Sequence, residues 1–124
     1  MKLVLRYAPF HQNSDYAVMM LEAARDQDLF METLELMFDT QNYWVKHHVV
    51  DAKELWSLLG SIGGLDMKRM AEFINNKKAD VIIAQDLQDS KTLGANKTPS
   101  YFVNGKPLQV FGLENLKKLI NSEL

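Results

Sequence analysis

The stretch Lys97–Lys106, KTPSYFVNGK, limits what this chain can fold into more than any other segment. Tyr101, Phe102 and Val103 are strong strand formers, and Asn104-Gly105 is the dipeptide favoured at the two central positions of a type I′ hairpin turn. Pro107 to Val110 is then expected to return as the antiparallel partner. Pro99 stands at the mouth of the first strand. A proline donates no ladder hydrogen bond, so within a sheet it is confined to the first position of a strand, an edge or a bulge. The segment predicts a β-hairpin entered through a proline.

Most of the chain before this hairpin has helical periodicity. Leu3, Val4, Leu5 and Tyr7 form a short apolar run ending at Pro9, which predicts a buried strand over residues 2–7. Asn13 or Ser14 is placed to cap a helix bearing Ala17, Met20, Leu21 and Ala24. Asp28 precedes a second helical face of Phe30, Leu34, Met37 and Phe38, after which QNYWVKHHVV loses the period and predicts a loop or irregular turn with two aromatic anchors, Tyr43 and Trp44. Asp51, with Glu54 three residues on, resembles a capping box for a helix presenting Leu55, Leu58, Leu59 and Ile62, terminated by Gly63-Gly64. Asp66 caps a fourth helix with Met67, Met70, Ala71 and Ile74 inward. A fifth begins near Lys78, directs Ala79, Ile82, Ile83 and Leu87 inward and stops before Gly94. Beyond the hairpin, Gly112 opens a last helix with Leu113, Leu116, Leu119, Ile120 and Leu124 on one face.

Composition narrows the function classes. With 124 residues, 47% of them hydrophobic, the chain suffices for one domain with one core. A formal charge of -2, with both signs interspersed, supplies no basic field for nucleic acid. No apolar run approaches the roughly 20 residues of a membrane span, and MKLVLRYAPF is too short and too interrupted by Arg6 for a secretory leader. Zero cysteines exclude disulfides, thiolate metal sites and thiol catalysis by these residues alone.

The remaining chemical candidates read as ordinary structure. His47 and His48 are adjacent, which sends their side chains in different directions; with His11 they would meet a metal only through an unforeseen fold contact, so no metal is expected. Asp26, Asp28, Glu32 and Glu35 are expected on solvated helix faces, because acid–base work would need one of them buried. Met19, Met20, Met31 and Met37 fit either an adaptable peptide groove or, by their spacing, a core. GSIGGLD, Gly60 to Asp66, follows a helix rather than a strand and is a helix stop, not a phosphate loop.

Taken together, KLVLRYAPFH, FMETLELMFDTQNYW and GANKTPSYFVNGKPL make the chain resemble the DsbA-type thiol–disulfide oxidoreductases, an α/β thioredoxin-like fold with a helical insertion. The resemblance covers essentially the whole chain and implies one domain: first strand and turn at 1–12, helical insertion at 13–94, and proline loop, hairpin and terminal helix at 95–124. The family's C-x-x-C pair, on a helix N-terminus where the dipole lowers the thiolate pKa, lies upstream of the segment matching Lys2 to Tyr7. The resemblance therefore implies a domain truncated at its N-terminus, without the central strand and cysteine-bearing helix and with no catalytic residue of its own. That central strand would lie between residues 2–7 and residues 100–103, so either these two segments pair directly or a second molecule completes the sheet through the unpaired edges.

In such proteins the proline after Thr is cis and faces the cysteines. By base rates Thr98–Pro99 is trans, since only about 5–6% of X-Pro bonds are cis. The resemblance implies cis, with the amide and carbonyl of Thr98 turned toward an extended substrate and Thr98, Pro99 and Lys97 as substrate-binding residues. Lys97 departs from the glycine that many members carry there. The implied partners are proteins or peptides bearing thiols or disulfides, without a cofactor, and the implied setting is a bacterial periplasm or cell envelope. Two other functions accommodate the same residues: a cysteine-free peptide-binding or assembly module, and part of a glutathione-linked transferase or isomerase of the same plan.

Overall fold

Ala23 and Ala24 on the first helix leave no solvent-accessible gap, and around them the core of the chain is assembled. The structure, a computed structural model, describes residues 1–124 and divides into two units, Met1–Asp89 and Ser90–Leu124.

In the first unit, α1 (Ser14–Arg25) packs against α2 (Phe30–Asp39), α4 (Ala52–Leu59) and α5 (Met67–Asn75). Between them lie one helical turn, α3 (Gln41–Trp44), and a two-stranded antiparallel ribbon, β1 (Val45–Lys46) and β2 (Val49–Val50). Met20, Leu21, Met37, Trp44, Val50, Leu55, Leu59 and Met70 fill the core. Asp51 and Asp66 cap α4 and α5 by accepting the amides of Glu54 and Arg69, both at 3.1 Å. Expected positions Leu55, Leu59 and Met70 are fully enclosed. The helix α6 (Asp80–Leu93) runs out of this unit into the next.

Several expectations are corrected here. Residues 2–7 form no strand and belong to no sheet, and Leu3, Val4 and Leu5 are exposed. An extended segment becomes a strand only when a ladder partner satisfies its amides and carbonyls. Each of the two sheets is a local two-stranded hairpin. Neither Asn13 nor Ser14 caps α1 with its side chain: the Asn13 amide donates to the Val50 carbonyl at 3.4 Å and Ser14 Oγ to the His11 carbonyl at 2.7 Å. Phe38 and Ile82 are exposed, their inward places taken by Thr33 on α2 and Asp86 on α6. Of the two aromatics, Trp44 is buried with Nε1 donating to the Met37 carbonyl at 3.0 Å, whereas Tyr43 faces solvent. The helix α4 ends at Leu59, ahead of the Gly63-Gly64 pair.

In the second unit, β3 (Phe102–Val103) pairs antiparallel with β4 (Lys106–Pro107), and α7 (Leu113–Ser122) follows. Asn104 and Gly105 carry φ of 49° and 81°, the two positive values that a type I′ turn requires. The return strand is shorter than expected: one further bond, Leu108 N to Tyr101 O at 2.8 Å, extends it, and Val110 is exposed. No side chain of α7 is buried; Leu113 is exposed, and so is Leu124 beyond the helix end.

Candidate functional site

A cleft of about 230 Å³ opens within the second unit, lined by Asn96, Lys97, Pro99, Ser100, Tyr101 and Phe111 among others. Its position follows from how α6 ends. Gly94, at φ +69°, takes the left-handed conformation that stops a helix, with Gly94 N donating to the Lys91 carbonyl at 3.2 Å and Ala95 N to the Ser90 carbonyl at 2.8 Å. These two bonds are the paired closure of a Schellman motif. They turn the chain into the exposed segment Asn96–Ser100, which forms one wall of the cleft.

Along this wall the peptide bond between Thr98 and Pro99 is cis. Ser100 Oγ donates to the Lys97 carbonyl, bridging across the two intervening residues. Lys97 and Pro99 line the cleft, and Thr98 between them is exposed. Neither the amide nor the carbonyl of Thr98 belongs to a sheet, because the ladder of β3 begins at Phe102 and runs only to β4. The three residues singled out from sequence are thus consecutive on one open rim.

Two features of the site had no sequence signal strong enough to single them out. Tyr101 and Phe111 meet with ring centroids 6.1 Å apart and planes tilted by 38°, forming an exposed aromatic surface beside Pro99. Phe111 lies in an irregular segment just before α7, so no periodicity pairs it with Tyr101. Glu123, at the end of α7, bonds Lys106 Nζ and accepts the Asn104 amide at 3.4 Å, tying that helix to the hairpin turn. Its hydrogen bond to Lys106 holds the carboxyl below the usual range.

A second polar grouping lies in the first unit. Arg6 donates through Nε to Asp86 Oδ1 at 2.7 Å and also bonds Asp89, while the Tyr7 amide donates to Asp86 Oδ2 at 2.8 Å. The hydrogen bond from Arg6 holds the Asp89 carboxyl low, and the same bond raises the Arg6 guanidinium. Nearby, buried Glu22 accepts Arg25 Nε at 2.7 Å; Arg25 lies 4.3 Å over the Phe30 ring and reaches the Tyr7 hydroxyl at 3.5 Å. Burial pushes the Tyr7 phenol up, against the Arg25 hydrogen bond, and that bond raises Arg25. These ion pairs fasten residues 6–7 to the helices. The expected solvated carboxylates Asp26, Asp28, Glu32 and Glu35 are all exposed, Asp26 pairing with Arg69 at 3.0 Å.

Comparison with known proteins bears on the whole chain. The sequence model of the family described as Thioredoxin matches residues 1–122. A Na(+)/H(+) antiporter NhaA of Herminiimonas arsenicoxydans is 28% identical over 110 residues, a match covering 88% of this chain and 16% of that protein. No solved structure matches.

Proposed function

This chain belongs to the thioredoxin family, and from that membership we propose that it is the peptide-docking and helical portion of a DsbA-like thiol–disulfide oxidoreductase, with Thr98, Pro99 and Lys97 as its docking rim. The observation that carries this reading is the one-sided pairing of the hairpin: β3 bonds β4 alone, and the exposed segment leading into it walls a cleft. An extended peptide can add to such an edge through main-chain hydrogen bonds, with side-chain pockets supplying selectivity. Here the Tyr101–Phe111 surface suits an apolar substrate residue next to the reacting sulfur. The chain has no cysteine, so in this reading the thiolate comes from residues outside it. A mixed disulfide forms between that cysteine and a substrate sulfur and is resolved by exchange, an attacking thiolate bonding one of the two sulfurs while the other departs as thiolate. The docking rim positions the peptide, and the setting is an oxidising envelope compartment.

Titrating an extended peptide containing an oxidised cysteine pair into the isotopically labelled chain tests the proposal by amide shifts. Shifts are expected over residues 97–102. Thr98→Pro, which deletes one main-chain donor, should weaken binding about tenfold, the effect of one hydrogen bond worth roughly 1–1.5 kcal/mol. Thr98→Ala, which keeps the amide, should not. Equal binding by both variants, or shifts elsewhere, would defeat the proposal.

A second reading is favoured by the antiporter relative: a thioredoxin-like module that binds peptide or partner within a longer transport protein, without thiol chemistry. None of the helices in this chain is long and apolar enough to cross a membrane, so in that reading the membrane part lies outside it. Trapping a mixed disulfide between the full-length protein and a substrate separates the two. Its capture supports the oxidoreductase; peptide binding that is equal in oxidised and reduced protein, with nothing trapped, supports the module.

A further inference from the structure

The ribbon turn between β1 and β2 brings a histidine against another from a distant part of the chain. His47 and His48 occupy the two turn positions, at φ 51° and 64°, so their side chains diverge from one another. Only His48 meets a second imidazole: its ring centroid lies 5.2 Å from that of His11, the planes tilted by 34°. Both residues are exposed, so an ion from solvent can reach the rings.

The backbones carrying the pair are tied together. The His11 carbonyl accepts Ser14 N at 3.1 Å and Ser14 Oγ at 2.7 Å, which fixes the turn leading into α1. The carbonyl of the next residue, Gln12, accepts Val50 N at 3.1 Å, and the Asn13 side chain donates to the Val50 carbonyl. Val50 belongs to β2, the strand that leaves the His47–His48 turn. The backbones carrying the two imidazoles are therefore held near one another by hydrogen bonds of their own, apart from the ring contact.

We propose that His11 and His48 form a two-imidazole chelate for a borderline divalent metal ion, Zn²⁺, Ni²⁺ or Cu²⁺, with water completing the coordination. Imidazole nitrogen suits these ions, whereas Mg²⁺ and Ca²⁺ require oxygen ligands. Two imidazoles bound at ~2.0–2.1 Å to one tetrahedral ion have ring centres roughly 5 Å apart, which is the spacing the fold already holds. Exposed rings reach the required orientation by side-chain rotation alone. No group of three or more His, Asp or Glu converges here, so binding is weaker than at a four-ligand structural site. When bound, the ion clamps the turn before α1 to the ribbon and stabilises the first unit by mass action.

The test is titration of the whole chain with Ni²⁺ and, separately, Zn²⁺, following the imidazole resonances and the heat of binding. One ion per chain is expected, with shifts confined to His11 and His48. His11→Ala and His48→Ala should each weaken binding roughly 100-fold, as a chelate becomes a single ligand, and the double variant should be little worse than either. His47→Ala should bind as the parent does. Equal loss with His47→Ala, retention of binding by His11→Ala, or no saturable binding by the parent would overturn the proposal and leave a packing contact only. His11→Gln, which keeps a polar side chain of similar reach, guards against loss through misfolding: it too must lose the ion while its circular dichroism stays that of the parent.

Discussion

Buried charge is where single residues matter most in this chain. Glu22, 5% exposed, has Arg25 as its cation, and Arg25→Ala leaves that carboxylate desolvated with its strongest partner gone. A loss of about 2 kcal/mol in chemical denaturation is expected, since an unsatisfied charged group costs at least as much as a neutral one; Arg25→Lys should recover part of it. Acid acts on Asp89 and Glu123. Both carboxyls are held low, by Arg6 and Lys106 respectively, so each contributes stability above its unfolded value of about 4. That contribution disappears as pH falls through the lowered folded value. Melting curves between pH 6 and pH 2 should therefore drop more steeply for the parent than for Asp89→Asn with Glu123→Gln. At this scale the sequence was a partial guide. Leu55, Leu59 and Met70 were legible because an apolar residue at helical spacing has one way to leave water. Asp86 was not, because its carboxylate is buried beside a cation, Arg6, that comes from a distant part of the chain, and Glu22 was not, because its local partner Arg25 fits a solvated helix face equally well.

Among the elements, the hairpin and the capped helices were the most legible. Asn104-Gly105 is a local code for a turn with both φ positive, and Asp51 and Asp66 cap by bonds that reach only three residues forward. Gly105→Ala places a side chain at φ +81° and should destabilise the hairpin by about 1 kcal/mol, seen as weakened cross-strand contacts between Phe102 and Pro107 in NMR spectra. Met70→Ala, at a site with no exposure, should cost about 2–5 kcal/mol in denaturant because its place lies at the contact of α1 with α5. The segment 2–7 shows the limit of reading elements from pattern. Its apolar run has the composition of a strand, but composition supplies no ladder, and the segment is held by Arg6 and Tyr7 instead. The β1–β2 ribbon had the opposite fate: His47-His48 is an unusual pair for a type I′ turn, so its local signal was weak, yet Trp44 burial and the Val50–Gln12 bond impose it.

For the whole molecule, unequal burial predicts unequal stability. Every fully buried apolar residue lies in Met1–Asp89, and none lies in Ser90–Leu124. Hydrogen exchange should be slowest in α1, α4 and α5 and faster throughout β3, β4 and α7, because local opening is cheapest where few apolar contacts must break; uniform protection across the chain would contradict this. The proposed docking rim therefore sits in the less protected part, as binding segments commonly do. The sequence alone determined the helices capped at Asp51 and Asp66, the hairpin turn at Asn104-Gly105, the lack of cysteine among these residues and the consecutive placing of Lys97, Thr98 and Pro99, since each follows from neighbours along the chain or from composition. Tertiary structure decided which carboxylates are buried, that residues 2–7 remain outside any sheet, that Tyr101 meets Phe111, and that His11 meets His48. Those outcomes depend on groups far apart in the chain, whose encounter is set by how helices and ribbon pack rather than by any local pattern.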